Sequence, residues 1–164
     1  MSIKEIEASD WKGILHVQAE VYSDVEPEQE AVLRHKWEHS PDSCFVYEKN
    51  NTISAYLLAH TWGGEAPPKL HALLPAKLQG QTLFLHDLAV SARLSGSGVG
   101  SAMVNHLVQI AAANGYEKIM LVAVQNSAPF WNKMGFSEML GIQACPSYGI
   151  GSRVMQRATI EVDT

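Results

Sequence analysis

Cysteine is nearly absent: the 164 residues hold only two, Cys44 and Cys145, far apart and in no ligand-like spacing. That argues against a disulfide framework or a thiolate metal site and fits a reducing, cytoplasmic compartment. Long apolar runs are missing too. None reaches the roughly 18–20 residues of a membrane helix, so no membrane-embedded part is expected. The opening MSIKEIEASDW has no apolar signal core, so no secretory leader is expected either. Positive charge is scarce: 12 Lys and Arg stand against 17 Asp and Glu, a formal charge of −5. This balance speaks against nucleic acid as a partner and is compatible with a cationic substrate. With 46% hydrophobic and 18% charged residues, and with neither repeat nor linker, residues 1–164 read as one globular domain.

The pattern along the chain alternates strands and helices. SIKEIE, 2–7, reads as a first strand. A helix follows in DWKGILHVQAEVY, with Asp10 as N-cap and an apolar face of Trp11, Leu15 and Val21 or Tyr22. PEQEAVLRHKWEH opens with Pro27 and acidic residues, a helix start, and places Ala31, Leu33 and Trp37 in its apolar set. Residues 43–62 read as a hairpin around Asn50-Asn51. Residues 63–81, with three prolines, read as a long loop that could act as a lid. TLFLHDLAV is a strand, VGSAMVNHLVQIAAANG a helix with Val99, Met103, Leu107, Ile110 and Ala111 on one face, and KIMLVAV a buried strand. NSAPFWNKMGF is a short helix with Ser127 as N-cap. Two strands flanking a Gly/Pro-containing loop complete a mixed α/β architecture.

VSARLSGSGVGSAM, 90–103, carries Gly96, Gly98 and Gly100 between strand and helix. Such a loop can aim backbone N–H groups at an anion. A dinucleotide fingerprint fails, because Ser stands at 101 and the third glycine comes one position early. A Walker loop fails as well, because no lysine lies between 78 and 117. A tight turn without ligand and a pyrophosphate cradle remain open.

The segment resembles motif A of the GNAT superfamily of acyl-CoA-dependent N-acyltransferases. Leu88-Ala89-Val90 ends the strand, Gly98 and Gly100 take the motif's two small positions, and Ser95 replaces its usual Arg or Gln. NSAPFWNKMGF resembles motif B through Asn126, Phe130, Gly135 and Phe136, with Trp131 in place of Tyr. The resemblance implies a central mixed sheet splayed between two parallel strands and flanked by helices, with acetyl-CoA as co-substrate. It also implies that the amides of Ser95, Gly96, Ser97, Gly98, Val99, Gly100 and Ser101 cradle pyrophosphate, while Leu88 and Val90 pair with the pantetheine arm. No resident metal is expected: His35 and His39 have ligand-like i,i+4 spacing but no third ligand in the pattern.

Amine acylation needs a proton acceptor, an oxyanion donor such as the Leu88 amide, and a proton for the thiolate. FLHDLAV resembles the corresponding strand of the arylalkylamine N-acetyltransferases. His86 falls on one of that group's two histidine positions and Phe84 on the other, making His86 the candidate base. Strict alternation would put His86 and Asp87 on opposite faces, excluding a side-chain dyad. Trp131 cannot serve as an acid, and Tyr148 is the substitute to test. Cys145 has no predictable activating partner. Trp11, Trp37 and Trp62 could line an acceptor pocket or belong to the core, and His106 suits a packed position. A small amine is the expected acceptor, a protein N-terminus or lysine the rival. A non-catalytic acyl-CoA-binding regulatory domain and a nicotinamide or nucleotide domain are the rivals from other classes. Relatives in the superfamily often form homodimers, but no stretch here marks an interface.

Overall fold

The fold was obtained as a computed structural model, which describes residues 2–22, 27–63, 66–68, 81–124, 126–144, 148–149 and 151–159. Seven strands form one sheet: β1 Ser2–Glu5, β2 Phe45–Lys49, β3 Thr52–Trp62, β4 Thr82–Val90, β5 Lys118–Ala123, β6 Ser137–Glu138 and β7 Arg153–Ala158. Their spatial order is β1-β2-β3-β4-β5-β7-β6. Only β4 and β5 run parallel; every other neighbouring pair is antiparallel. The parallel pair requires a crossover, which α3, Val99–Ala113, supplies. Helices α1, Trp11–Val21, and α2, Glu30–His39, cover the opposite face, and α4, Ala128–Lys133, follows β5. No helix among the described residues is long and apolar enough to cross a membrane.

The hairpin turn has both Asn50 and Asn51 at positive φ, 54° and 61°, as a two-residue turn between right-twisting strands demands. α3 buries Val99, Met103, Val104, Leu107 and Ala111 against Leu83, Leu85, Ile119 and Leu121 of β4 and β5. The expected apolar face of that helix is borne out, with Ile110 packed at its margin. On the other face, Ile6, Trp11, Ile14, Val17 and Leu33 meet Val46, Tyr56, Leu58 and Ala89.

Two helices depart from their sequence patterns. The buried face of α1 is Trp11, Ile14, Val17 and Gln18; of the expected set Trp11 is buried, while Leu15, Val21 and Tyr22 pack at its margin only partly buried. Tyr22, just beyond the helix end, turns its hydroxyl toward β4. Asp10 stands at the N-cap position of α1, but its carboxylate accepts from the Glu7 amide at 2.8 Å and the Lys4 ammonium instead. α2 begins at Glu30, three residues after Pro27, and buries Leu33 and Lys36 while Ala31 is exposed. The segment before it, 27–29, is thereby free to run under β4. Most of the proposed lid, and Cys145 with it, lie outside the described residues.

Gly13 shows how closely α1 rests on the sheet. A Cβ there would sit 2.8 Å from Cβ and Cγ1 of Ile53. Helix propensity alone would make Gly13→Ala stabilising by about 1 kcal/mol. Ile53 Cβ cannot rotate away, and overpacking costs about 1–3 kcal/mol. A net loss of about 1 kcal/mol in urea unfolding is expected; a gain would show that α1 shifts freely on the sheet.

Candidate active site

β4 and β5 pair from Thr82↔Lys118 to Leu85↔Leu121 and no further, although β4 continues to Val90 and β5 to Ala123. Past Leu85 the strands diverge. On its other side β4 stays paired with β3, but with one register shift: Leu58 faces Asp87 while Ala59 faces Leu85, leaving His86 as the extra residue of a β-bulge. The bulge overturns the alternation expected for this strand. Leu83 and Leu85 face α3, as do Leu88 and Val90, whereas Phe84, His86, Asp87 and Ala89 all turn toward the face of α1 and α2.

The divergence opens a cleft of about 610 Å³. One wall is Leu85 to Leu88 and Val90 of β4; the other is Leu121, Val122 and Val124, with Ser127, Phe130 and Trp131 at the α4 end. Its mouth is the glycine loop. Gly96 and Gly98 have φ of +76° and +87°, and a Cβ at either would meet nothing within 4 Å. These glycines answer a backbone requirement and not crowding. Ser95 and Ser97 donate their amides to the carbonyls of Ala92 and Leu94, at 3.1 Å each. Those amides are therefore committed, contrary to the full cradle the resemblance implies. The amides of Gly96 and of Gly98 to Ser101 make no backbone hydrogen bond among the described residues, as expected for a helix N-terminus. They fit an anion, which the α3 dipole would favour. Lys133 is the only Lys or Arg among the described residues lining the cleft.

Of the other expected site residues, Ser95, Gly96, Gly98, Val99, Gly100, Ser101, Leu88, Val90 and Phe130 line the cleft. Ala89 is buried beneath α1, Ser97 turns its hydroxyl back to the Leu94 carbonyl, and Asn126 is exposed with φ +61°; these three do not line it. Tyr148 is not brought to it either. Its hydroxyl donates to the Pro68 carbonyl at 2.6 Å. Trp11 and Trp37 meet in a tilted contact at 5.7 Å beside Arg34, Trp62 donates to the Ala66 carbonyl, and His106 packs edge-on against Phe45. None of these four lines the cleft.

What the sequence did not reveal is a buried polar cluster behind β4. Glu28 Oε1 meets His86 Nε2, and Glu28 Oε2 lies 3.8 Å from Lys36 Nζ. The side chains of His86 and Lys36 are 1% exposed and that of Glu28 is 6% exposed. Next to them, Tyr22 and Tyr56 each donate to one oxygen of Asp87, at 2.6 Å. Burial, then the Asp87 charge, pushes both phenols well above their ordinary range. Tyr22 lines the cleft, but its hydroxyl proton is committed to Asp87. Burial lowers the Lys36 ammonium, with Glu28 opposing, and raises Asp87 against its two phenol bonds. Glu28 read as a helix-start carboxylate in the sequence. No local signal could have linked it to a strand 58 residues later.

Compared with known proteins, residues 6–136 match the model of the acetyltransferase (GNAT) family. The chain belongs to that family. No curated protein matches it by sequence. Among solved structures, this GNAT chain resembles a GNAT-like decarboxylase, GphF, in complex with isobutyryl-CoA, with TM-score 0.81, 16% identity, and coverage of 98% of this chain and 100% of that one. It resembles the loading GNATL domain of CurA from Lyngbya majuscula at TM-score 0.81 and 12% identity, covering 96% and 97%. The ribosomal-protein-S18-alanine N-acetyltransferase of Escherichia coli follows at 0.72 and 15%, covering 99% and 96%. The splayed mixed sheet is thus the GNAT fold, and the family supports acyl-CoA-dependent transfer.

His60, paired with Phe84 across β3 and β4, is fully buried. Its Nδ1–H donates to the Thr61 carbonyl at 2.9 Å, and burial lowers the ring to about 3. Unfolded, it would titrate near 6.5, so it favours unfolding only as pH falls below that value. The stability of wild type relative to His60→Phe is expected to hold constant above pH 7. Between pH 6.5 and 5 it should fall by about 2 kcal/mol. Urea unfolding across pH tests this, and a pH-independent difference would refute the buried neutral ring.

Proposed function

We propose that this GNAT protein transfers an acetyl group from acetyl-CoA to the primary amine of a small acceptor, by direct attack in a ternary complex. One observation carries the proposal: the β4–β5 divergence brings a β4 edge without a β5 partner, loop amides without a backbone hydrogen bond and the wall at His86 into a single cleft. The cradle of Gly96 and Gly98 to Ser101 would take the pyrophosphate, and Lys133 at the rim would meet another phosphate. The pantetheine arm would complete the β4 backbone at Leu88 and Val90.

The thioester would then lie at the divergence, beside His86. The amine nitrogen attacks the thioester carbon and the C–N bond forms. The oxyanion collapses, the C–S bond breaks, and coenzyme A leaves as thiolate. His86 takes the proton that the attacking nitrogen loses, directly or through one water. Because its imidazole is 1% exposed, only a group seated at the divergence reaches it. Among the described lining residues Trp131 has no acidic proton to give and the Tyr22 hydroxyl is committed to Asp87, so solvent supplies the proton for the thiolate in this proposal. A peptide amine in place of a small one uses the same chemistry.

A second activity has a specific observation in its favour: two of the fold likenesses above, each at TM-score 0.81, are to a GNAT-like decarboxylase and a GNATL loading domain. Loss of carbon dioxide from a 2-carboxyacyl thioester would break a C–C bond, leave an enolate, and need one proton at carbon, which a protonated His86 could deliver.

Thermal unfolding with acetyl-CoA, coenzyme A, NAD and ATP in parallel tests the donor. A ligand at 100 times its Kd adds about 2.7 kcal/mol of stability, and only the first two are expected to do so. Thiol release with a panel of amines, and carbon dioxide release from malonyl-CoA, then separate the two activities. His86→Gln should lower kcat by on the order of 10²-fold for either one, with coenzyme A affinity unchanged. Binding of coenzyme A without any turnover would mark a non-catalytic acyl-CoA-binding domain.

A further inference from the structure

His86 has two ring nitrogens in unlike situations. Nε2 meets Glu28 Oε1, while Nδ1 is buried with no hydrogen-bond partner. An unmade hydrogen bond to a buried polar atom costs free energy; His60 Nε2 carries the same cost within the core, but of the two histidines only His86 lines the cleft. A lone pair left without a donor, on a residue that lines the cleft, is what a site for a substrate group would show.

Glu28 is built to hold this arrangement. Its backbone carbonyl accepts from Gln18 Nε2 of α1 at 3.4 Å, one carboxylate oxygen takes His86, and the other faces Lys36 of α2 at 3.8 Å. It precedes α2, so neither helix register nor strand pairing dictates its position. A carboxylate can only accept, so the proton between Glu28 and a neutral His86 resides on Nε2.

We propose that Glu28 is the positioning residue of this site: it fixes His86 as the Nε2–H tautomer and leaves Nδ1 as the one ring atom that can take a proton from, or return one to, a bound substrate. The proton lost by the attacking amine goes to Nδ1, and the imidazolium so formed keeps its Nε2–H on Glu28. The tautomer assignment stands by itself; its catalytic consequence rests on the activity proposed above. The other ionisable groups around the ring are Asp87 on β4, held by Tyr22 just after α1 and by Tyr56 of β3, with Lys36 of α2 and His60 of β3. None of them supplies Nδ1 with a hydrogen bond.

Long-range proton–nitrogen NMR on the full chain, labelled with nitrogen-15, reads the tautomer whether or not turnover has been found. His86 is assigned by the loss of its signals in His86→Gln. The expected result at neutral pH is Nε2–H for His86 and the opposite tautomer, Nδ1–H, for His60, whose Nδ1 is committed to the Thr61 carbonyl. His86 carrying its proton on Nδ1 overturns the proposal.

The kinetic arm uses Glu28→Gln and Glu28→Asp, each first checked for folding by its melting curve. Glu28→Gln, which no longer dictates the tautomer, should lower kcat about 10- to 100-fold and displace the pH profile. KM for acyl-CoA should stay within about twofold, and Glu28→Asp should recover part of the loss. Unchanged kcat and pH profile in a folded Glu28→Gln protein would make Glu28 merely structural. The expected tautomer in a protein that acylates no amine would retain the Glu28 assignment and remove the acyl-transfer reading instead.

Discussion

The point on which the structure turns is the end of β4–β5 pairing at Leu85↔Leu121. Up to that pair the sheet is continuous and its two faces are separate cores, one beneath α3 and one beneath α1 and α2. Beyond it, β4 keeps only its β3 neighbour, and its other edge becomes a row of backbone donors and acceptors without a strand to meet them. An unpaired edge inside a domain is costly unless something takes the missing strand's place. An extended ligand arm bearing amides is the natural substitute, and the glycine loop at the same end supplies anion donors where such an arm would terminate.

The bulge at His86 lies at the same point. By inserting one residue on β4, it turns both His86 and Asp87 to the face of α1 and α2. Two consecutive polar side chains thereby enter a core that could hold neither alone. Each is met by its own partners, Glu28 for His86 and the two phenols for Asp87. A buried ion pair such as Glu28–Lys36 adds little net stability over a hydrophobic pair of similar volume, whereas breaking it by removing one partner costs about 3–5 kcal/mol. Packing therefore gives no reason for this cluster to be polar, and its place behind the cleft wall does.

The donor end solves a different electrostatic problem with little formal charge. Ser95 stands where the family usually carries Arg or Gln, and Lys133 is the one cation among the described lining residues. The donors available to an anion are instead backbone amides at the start of α3, in a loop with two glycines in left-handed conformation. Backbone donors of this kind need no side chain to be ordered on binding, since the helix has already fixed them. They also explain how the site keeps its form when the usual side chain is missing.

The periodicities by themselves determined the hairpin, the apolar face of α3, the buried β5 strand and the strand–loop–helix unit carrying the glycines. All of these follow from local rules of 2.0 and 3.6 residues or from turn conformation, and Gly98 and Gly100 with Phe130 and Phe136 sufficed for the family. Four matters were left to the tertiary structure. The bulge is a change of register against a neighbouring strand, invisible from β4 alone. Tyr22 and Glu28 look like a helix end and a helix start, and become site residues only when α1 and α2 are laid over β4. Tyr148 is drawn to Pro68 and away from the cleft. The amides of Ser95 and Ser97 are spent inside their own loop. Each is a contact between segments distant in sequence, or a competition for one hydrogen bond, and neither leaves a periodic trace for composition or spacing to report.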